Sequence, residues 1–306
     1  MRNTFDKTLT DLAREDPRIF LIVGDVSPVT FKVFTGAFPE RFWNVGIAEA
    51  MMVSGAAGMA LVGKIPFLCT IATFMTMRCY EQIRDDIGYQ HLNAKIVGIG
   101  SGVSYSTLGA THHAIEDLAI MRAIPGMTVV APADPPEVAR VTRAALQHEG
   151  PIYIRIAKNN EPVLVPDDTS FTLGKAVTVR NGADVTLVST GTILKEALAA
   201  AEALQNENIS ARVLHVHTVK PIDEKAILKA AGETRAMLTV EEHNVIGGLG
   251  SAVAEVLVEG GVRVPFRRIG LRDRFCADYG THAELLRILG LDAESIRRSA
   301  RQLLGI

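Results

Sequence analysis

The stretch "TFDKTLTDLAREDPRIFLIVGD", residues 4–25, sets an amphipathic helix directly before a buried strand. Phe5, Leu9 and Leu12 recur on one helical face, Pro17 ends the pattern, and "IFLIVGD" is continuously apolar, as a strand covered on both sides must be. The alternation continues outward. "IPFLCTIA", "AKIVGIGSG", "MTVVAPAD" and "GPIYIRIAK" read as further short strands, whereas "FMTMRCYEQIRDDIGY" and "AIEDLAIMRAI" carry helical spacing. Such alternation predicts a parallel sheet with helices on both faces. From Asn159 to about Leu173 the chain turns irregular, with Pro162, Pro166, Asp167 and Asp168, and then the pattern restarts. "DVTLVSTGT", "ILKEALAAAEALQNE", "ARVLHVHTVKP" and "AMLTVEEHNVIGGLGSAVAEVLVEG" predict a strand, a helix, a strand, and a strand–turn–helix. The expected fold class is α/β, with two parallel-sheet-based domains at residues 1–166 and 167–306.

Of the 306 residues, 48% are hydrophobic, enough to fill two cores without covalent staples. Lys and Arg number 32 against 34 Asp and Glu, so no bulk charge favours nucleic acid or an acidic membrane. Cys69, Cys79 and Cys276 form neither a CxxC pair nor an even-numbered framework, which suits a reducing, cytoplasmic compartment. The N-terminal segment carries acids, unlike a secretory signal, and no apolar run reaches membrane-spanning length. Neither nucleic acid nor membrane is an expected partner.

One charge stands out. In "NVGIAEAMMVSGAAGMALVG", residues 44–63, Glu49 is the only ionisable side chain. A buried carboxylate needs a partner, a proton or a purpose. The first turn of a helix, with its positive dipole end, is one explanation, and a functional site is the other. Phe74, Met77 and Tyr80 recur at spacing three, as a core stripe does; the same wall could hold a heteroaromatic ring. His112 and His113 follow a loop rich in glycine and hydroxyls, and two adjacent histidines cannot both face one site from a helix. No metal-ligand spacing accompanies them. "VIGGLG", residues 245–250, lacks the dinucleotide fingerprint and reads as a tight turn with close helix packing. Glu241, Glu242 and His243 end a presumed parallel strand, where binding groups concentrate, though structural or interface duty fits equally.

Together, "NVGIAEAMM", "ATFMTMRCYEQIRDD", "GATHHAIEDLAIMRAIPGMTVVAPAD" and "VEEHNVIGGLGSAVAEVL", in this order, resemble the C-terminal half of transketolases over essentially the whole chain. The resemblance implies a pyrimidine-binding domain followed by the smaller transketolase C-terminal domain, and thiamine diphosphate as cofactor. Transketolases carry a GDG motif for Mg²⁺ and the diphosphate in an N-terminal half that this sequence does not contain. The expected partner is therefore a separate N-terminal-half subunit, with Mg²⁺ ligands on that subunit and an α2β2 assembly.

By the same resemblance, Glu49 corresponds to the glutamate that hydrogen-bonds a pyrimidine ring nitrogen and promotes the imino tautomer, an arrangement served by a protonated carboxyl in an apolar niche. Phe74 and Tyr80 correspond to aromatic residues lining the aminopyrimidine pocket, with Met77 in place of a third, and Asp25 to an aspartate near the thiazolium. His112 corresponds to the histidine at the donor's reacting carbonyl. Departures fall on the substrate side. Leu108 stands where transketolases have an aspartate, Val29 where they have a serine, and the arginine for the acceptor phosphate aligns with Lys158 or, with a gap, Arg155. Replacing a hydrogen-bonding group by leucine changes the substrate that a site accepts. These features predict a thiamine-dependent transfer of a two-carbon ketol or ketoacyl unit with an unusual donor or acceptor. The alternatives are a relative of 1-deoxyxylulose-5-phosphate synthase or of 2-oxo acid dehydrogenase β subunits, and a noncatalytic scaffold for the larger subunit.

Overall fold

The computed structural model describes residues 1–26, 28–158, 161–166 and 169–306, with positions 28 and 29 described for their backbone alone. Twelve strands are formed among these residues: β1 Ile19–Val23, β2 Phe42–Asn44, β3 Ile65–Ile71, β4 Lys95–Ile99, β5 Thr128–Val130, β6 Ile152–Ile156, β7 Val177–Arg180, β8 Val185–Ser189, β9 Ala211–His215, β10 Thr218–Lys220, β11 Ala236–Asn244 and β12 Phe266–Leu271. They build a seven-stranded sheet, ordered β10-β5-β6-β4-β3-β1-β2, and a five-stranded sheet, ordered β12-β11-β8-β9-β7. Both sheets are parallel apart from the edge strands β10 and β7.

The opening helix, Arg2–Glu15, buries Phe5, Leu9 and Leu12, the face that the spacing predicts. With Val138 and Val141 of the helix Pro135–Gln147 they cover one side of the first sheet. Each such side chain contributes roughly 1.5–3 kcal/mol when fully buried. Met52, Val53, Met75, Leu118 and Met121 cover the other side. The second sheet is sandwiched likewise, between Leu194, Ala197 and Ile296 on one face and Ile227, Ala230 and Leu249 on the other. The helix 135–147 starts where it does because Asp134 accepts the Glu137 N–H at 2.8 Å and proline fills the first turn.

Two expectations need correction. "ARVLHVHTVKP" is not one strand: β9 lies in the second sheet, and β10 crosses to pair antiparallel with β5 of the first. Ala131 donates to the His217 carbonyl at 2.7 Å, so the chain changes sheets at Val216–His217. Local propensity cannot reveal this, because both pieces are apolar and the choice of neighbour is tertiary. Nor does "FMTMRCYEQIRDDIGY" form one helix; it divides into Ala72–Met77, Tyr80–Gln82 and a π-helical turn, Ile83–Gly88. In the helix that begins at Glu49, Ala57 is buried, whereas a side chain at Gly55 or Gly58 would meet nothing within 4 Å. The expected boundary at 166/167 adjoins Asp167 and Asp168, which lie outside the described residues.

Candidate active site

The carboxyl ends of β1, β2, β3, β4 and β6 release residues towards one edge of the first sheet, as parallel α/β sheets do. From β1 come Gly24 and Asp25. From β2 the chain turns through Gly46, at φ +70°, into the helix Glu49–Leu61. Asn44 links the two connections, since its Oδ1 accepts the N–H groups of Asp25 at 3.3 Å and Gly46 at 3.0 Å. Asp25 itself has φ +48°, a left-handed conformation that costs a non-glycine residue roughly 1 kcal/mol and tends to persist at functional sites.

Glu49 begins its helix and is only 4% exposed. It sits in the first turn, where the positive end of the helix favours a carboxylate, and at one end of a cluster of polar and aromatic side chains. The expected apolar niche is not what surrounds it. Arg78 Nη1 donates to Glu49 Oε1 at 3.0 Å, and the same guanidinium lies 3.9 Å from the centre of the Phe74 ring. Phe74 meets the His112 ring edge-on, with centroids 5.1 Å apart. Tyr105 meets His112 at 5.8 Å, and Lys158 Nζ lies 4.5 Å over the Tyr105 ring. The cluster thus runs continuously from Glu49 through Arg78, Phe74, His112 and Tyr105 to Lys158. Arg78 and Tyr105 were missed from sequence. Arg78 is the first charge after the uncharged run of residues 65–77, which is the signal that could have found it.

His112 lies in a one-turn 3-10 helix, Ala110–His112, rather than at the start of the following helix, Asp117–Ala123. Its Nδ1 is 2.9 Å from the Thr111 hydroxyl, and the Thr111 carbonyl accepts the Thr73 hydroxyl at 3.0 Å. Burial, then the charges of Arg78 and Lys158, hold its pKa below the ordinary 6.5. The ring is therefore neutral at pH 7 and able to accept a proton.

The remaining expected residues are dispersed. Tyr80 directs its hydroxyl to the Ile120 carbonyl at 3.0 Å. Met77 is 42% and Leu108 48% exposed. Val29 falls among the residues whose side chains are not described. Arg155 does not reach the cluster: it is 2% exposed, pairs with Asp117 at 3.1 Å and donates to the carbonyls of Ala114 and Glu242. Its commitments within the core leave no fork for an acceptor phosphate. Lys158 is exposed and remains the cation beside His112.

A buried carboxyl group beside an aromatic face suits an aminopyrimidine, which can share one proton between a ring nitrogen and the carboxyl and lay a flat surface against Phe74. No group of three or more His, Cys, Asp or Glu side chains among the described residues could hold a metal ion. No helix of the described residues is long and apolar enough to cross a membrane.

Residues 1–163 match the family "Transketolase, pyrimidine binding domain", and residues 174–296 match "Transketolase, C-terminal domain". The chain is 42% identical over 303 residues to the 6-deoxy-6-sulfo-D-fructose transketolase subunit SqwH of Clostridium sp. (strain MSTE9), covering 99% of this chain and 94% of that one. It is 39% identical over 301 residues to a subunit of the apulose-4-phosphate transketolase of Phocaeicola vulgatus, covering 98% and 96%. A solved split gene transketolase, described as an inactive beta4 tetramer, superposes with a TM-score of 0.90 at 40% identity, covering 99% and 97%. The chain belongs to the transketolase family, in which it comprises the pyrimidine-binding and C-terminal domains.

Proposed function

We propose that this chain is the C-terminal-half subunit of a split, thiamine-diphosphate-dependent transketolase that moves a two-carbon ketol unit between a non-standard donor and a carbonyl acceptor. The observation that carries the reading is the buried Glu49 carboxylate in one continuous cluster with Phe74 and His112. When bound, thiamine diphosphate would supply a nucleophilic carbon suited to two-carbon transfer from a donor carbonyl. Glu49 holds the pyrimidine ring by a hydrogen bond at a ring nitrogen, with Arg78 fixing the carboxylate's orientation. Phe74 gives the ring an apolar wall. His112, neutral at pH 7 and oriented by Thr111, accepts or returns the proton of a substrate hydroxyl through Nε2. Lys158 attracts an anionic group on the substrate as a point charge, without the bidentate selectivity of arginine. Exposed Leu108, in place of a hydrogen-bonding aspartate, favours a substrate lacking the usual hydroxyl pattern there.

The cluster is half a pocket, open to solvent, and the other half belongs on an N-terminal-half subunit bearing the diphosphate and Mg²⁺ ligands. Trp43, Ile47, Met51, Leu61 and Val62 are exposed on and around the Glu49 helix, and Gly55 and Gly58 leave room for close approach. This surface favours an α2β2 assembly in which active sites form across chains. The free, buried cysteines suit a cytoplasmic setting. Domains divide near residues 166–167.

Calorimetric binding of thiamine diphosphate with Mg²⁺ tests the proposal, using the chain alone, the chain mixed with its N-terminal-half partner, and the mixture carrying Glu49→Ala. Tight binding only in the unmutated mixture is expected. Absence of binding in a properly assembled mixture leaves the scaffold reading in its place.

A further inference from the structure

The segment 100–116, between β4 and the helix Asp117–Ala123, carries His112 near its end and contains Gly100, Gly102 and Gly109 at positive φ. A stretch with this much backbone freedom needs external ties to hold one histidine in place. Those ties come from the C-terminal half of the chain. On the first leg, Val103 N–H donates to Glu242 Oε1 at 2.6 Å, and any side chain at Gly102 would collide with Glu242. On the second leg, the Ile115 carbonyl accepts Asn244 N–H at 2.8 Å. The legs are joined where Ala114 N–H donates to the Gly102 carbonyl at 2.9 Å. Arg155 closes the frame by donating to the Ala114 carbonyl at 2.6 Å and the Glu242 carbonyl at 2.8 Å. Among these ties, the Glu242 carboxylate is the one that a side-chain change can remove cleanly.

Glu242 is in turn held. His282 Nε2 lies 2.8 Å from the same Oε1. His282 opens the helix His282–Ile288, which is anchored by a reciprocal capping box between Thr281 and Glu284. A capped helix thus fixes an imidazole, the imidazole fixes a carboxylate, and the carboxylate fixes the first leg of the loop that carries His112. Glu161, Glu196, Lys195 and Arg155 are the other charged groups facing this pair.

We infer that Glu242, locked by His282, is a positioning residue for His112, so that the C-terminal domain sets the geometry of the substrate histidine in the first domain. The inference rests on the transferase reading and extends it to a domain that contributes no side chain to the cluster itself. Glu242 touches no reacting atom; it acts through the loop.

The test compares His282→Gln and Glu242→Ala with the parent chain, since alanine removes the acceptor that holds Val103 N–H. Amide hydrogen exchange on the chain alone reads loop order directly. Amides 102–115 are expected to exchange at least about tenfold faster in both variants, with the Glu49–Leu61 helix unchanged. In the assembled enzyme, thiamine diphosphate affinity is expected to stay within about twofold. Turnover, with whichever ketose phosphate, sulfonated ketose or 2-oxo acid donor the parent uses, should fall by about tenfold or more. The limb of the pH profile assigned to His112 should move up towards the ordinary imidazole value as the ring gains solvent and escapes Arg78 and Lys158. Unchanged exchange in both variants overturns the inference, and so does faster exchange with unaltered turnover and pH profile. His282→Gln keeps the question open to experiment if Glu242→Ala fails to fold. A parent assembly that neither binds the cofactor nor turns over sinks the transferase reading instead, whatever the exchange data show.

Discussion

At the carboxyl edge of the first sheet, Arg78, Leu108 and Lys158 are open to solvent around the buried Glu49. At the carboxyl edge of the second, Glu241, Glu242 and His243 are buried, Glu242 and His243 against the first domain. Both edges bear acids, bases and glycines where parallel sheets gather binding groups. In the second, however, Glu241 and His243 are consumed internally, as is Oε1 of Glu242. Glu241 accepts the N–H groups of Leu249 at 2.7 Å and Gly250 at 2.8 Å, at the positive end of the helix Leu249–Glu259. His243 Nε2 lies 3.3 Å from Ala119 N–H. Position at a strand end therefore does not distinguish a binding site from a joint between domains; what distinguishes them is whether a group retains capacity for something outside the chain.

Mutations should separate the two edges by the quantity they change. At the open edge, Glu49→Gln in the assembled enzyme is expected to reduce turnover by about 10²–10⁴-fold with little change in melting temperature, read by steady-state kinetics beside thermal unfolding. At the joint, Asp117→Ala should act the other way. Asp117 is fully buried, pairs with Arg155 and accepts the Tyr153 hydroxyl at 2.6 Å, so its removal strands a buried guanidinium at a cost of about 3–5 kcal/mol in denaturant unfolding. Equal loss of stability in both variants would erase the distinction.

The His282–Glu242 pair sharpens it through pH. Glu242 raises the His282 pKa from the ordinary 6.5 to about 9. Its folded-state value lies above the unfolded one, so its stabilisation is fully present below pH 6.5 and is lost as pH rises through about 9. The parent should lose up to about 3 kcal/mol across that interval, and His282→Gln should flatten the slope in melts from about pH 6 to 10. The smallest effect is expected at Gly109, which has φ +77° and lies where a side chain would approach the Tyr279 hydroxyl at 3.1 Å. Gly109→Ala should cost about 1–2 kcal/mol of local loop order, visible as faster exchange around His112 rather than as global unfolding.

Much of this architecture was legible in the chain. Continuous apolar strands, the Phe5–Leu9–Leu12 face and the single charge at Glu49 are local signals, and each led to the structure found. The order of the long motifs pointed to the family. What escaped was relational. Nothing near Arg78 reveals that it pairs with a residue 29 positions earlier, and nothing near Arg155 reveals that Asp117 and two carbonyls already occupy it. The crossing of β10 into the first sheet was hidden for the same reason, since a three-residue apolar run has no preference between two sheets.

That crossing strand also bears on how the protein is made. Strand β5 pairs with β6 on one side and with β10 on the other, yet β10 follows only after the linker and three strands of the second sheet. During synthesis the first sheet keeps a bare edge until Lys220 has emerged, with β9 and its preceding helix already formed or forming beside it. Unpaired edges invite wrong neighbours, and late, sequence-distant pairing slows folding. Truncation after the linker should therefore yield an aggregating fragment rather than an independently folded first half.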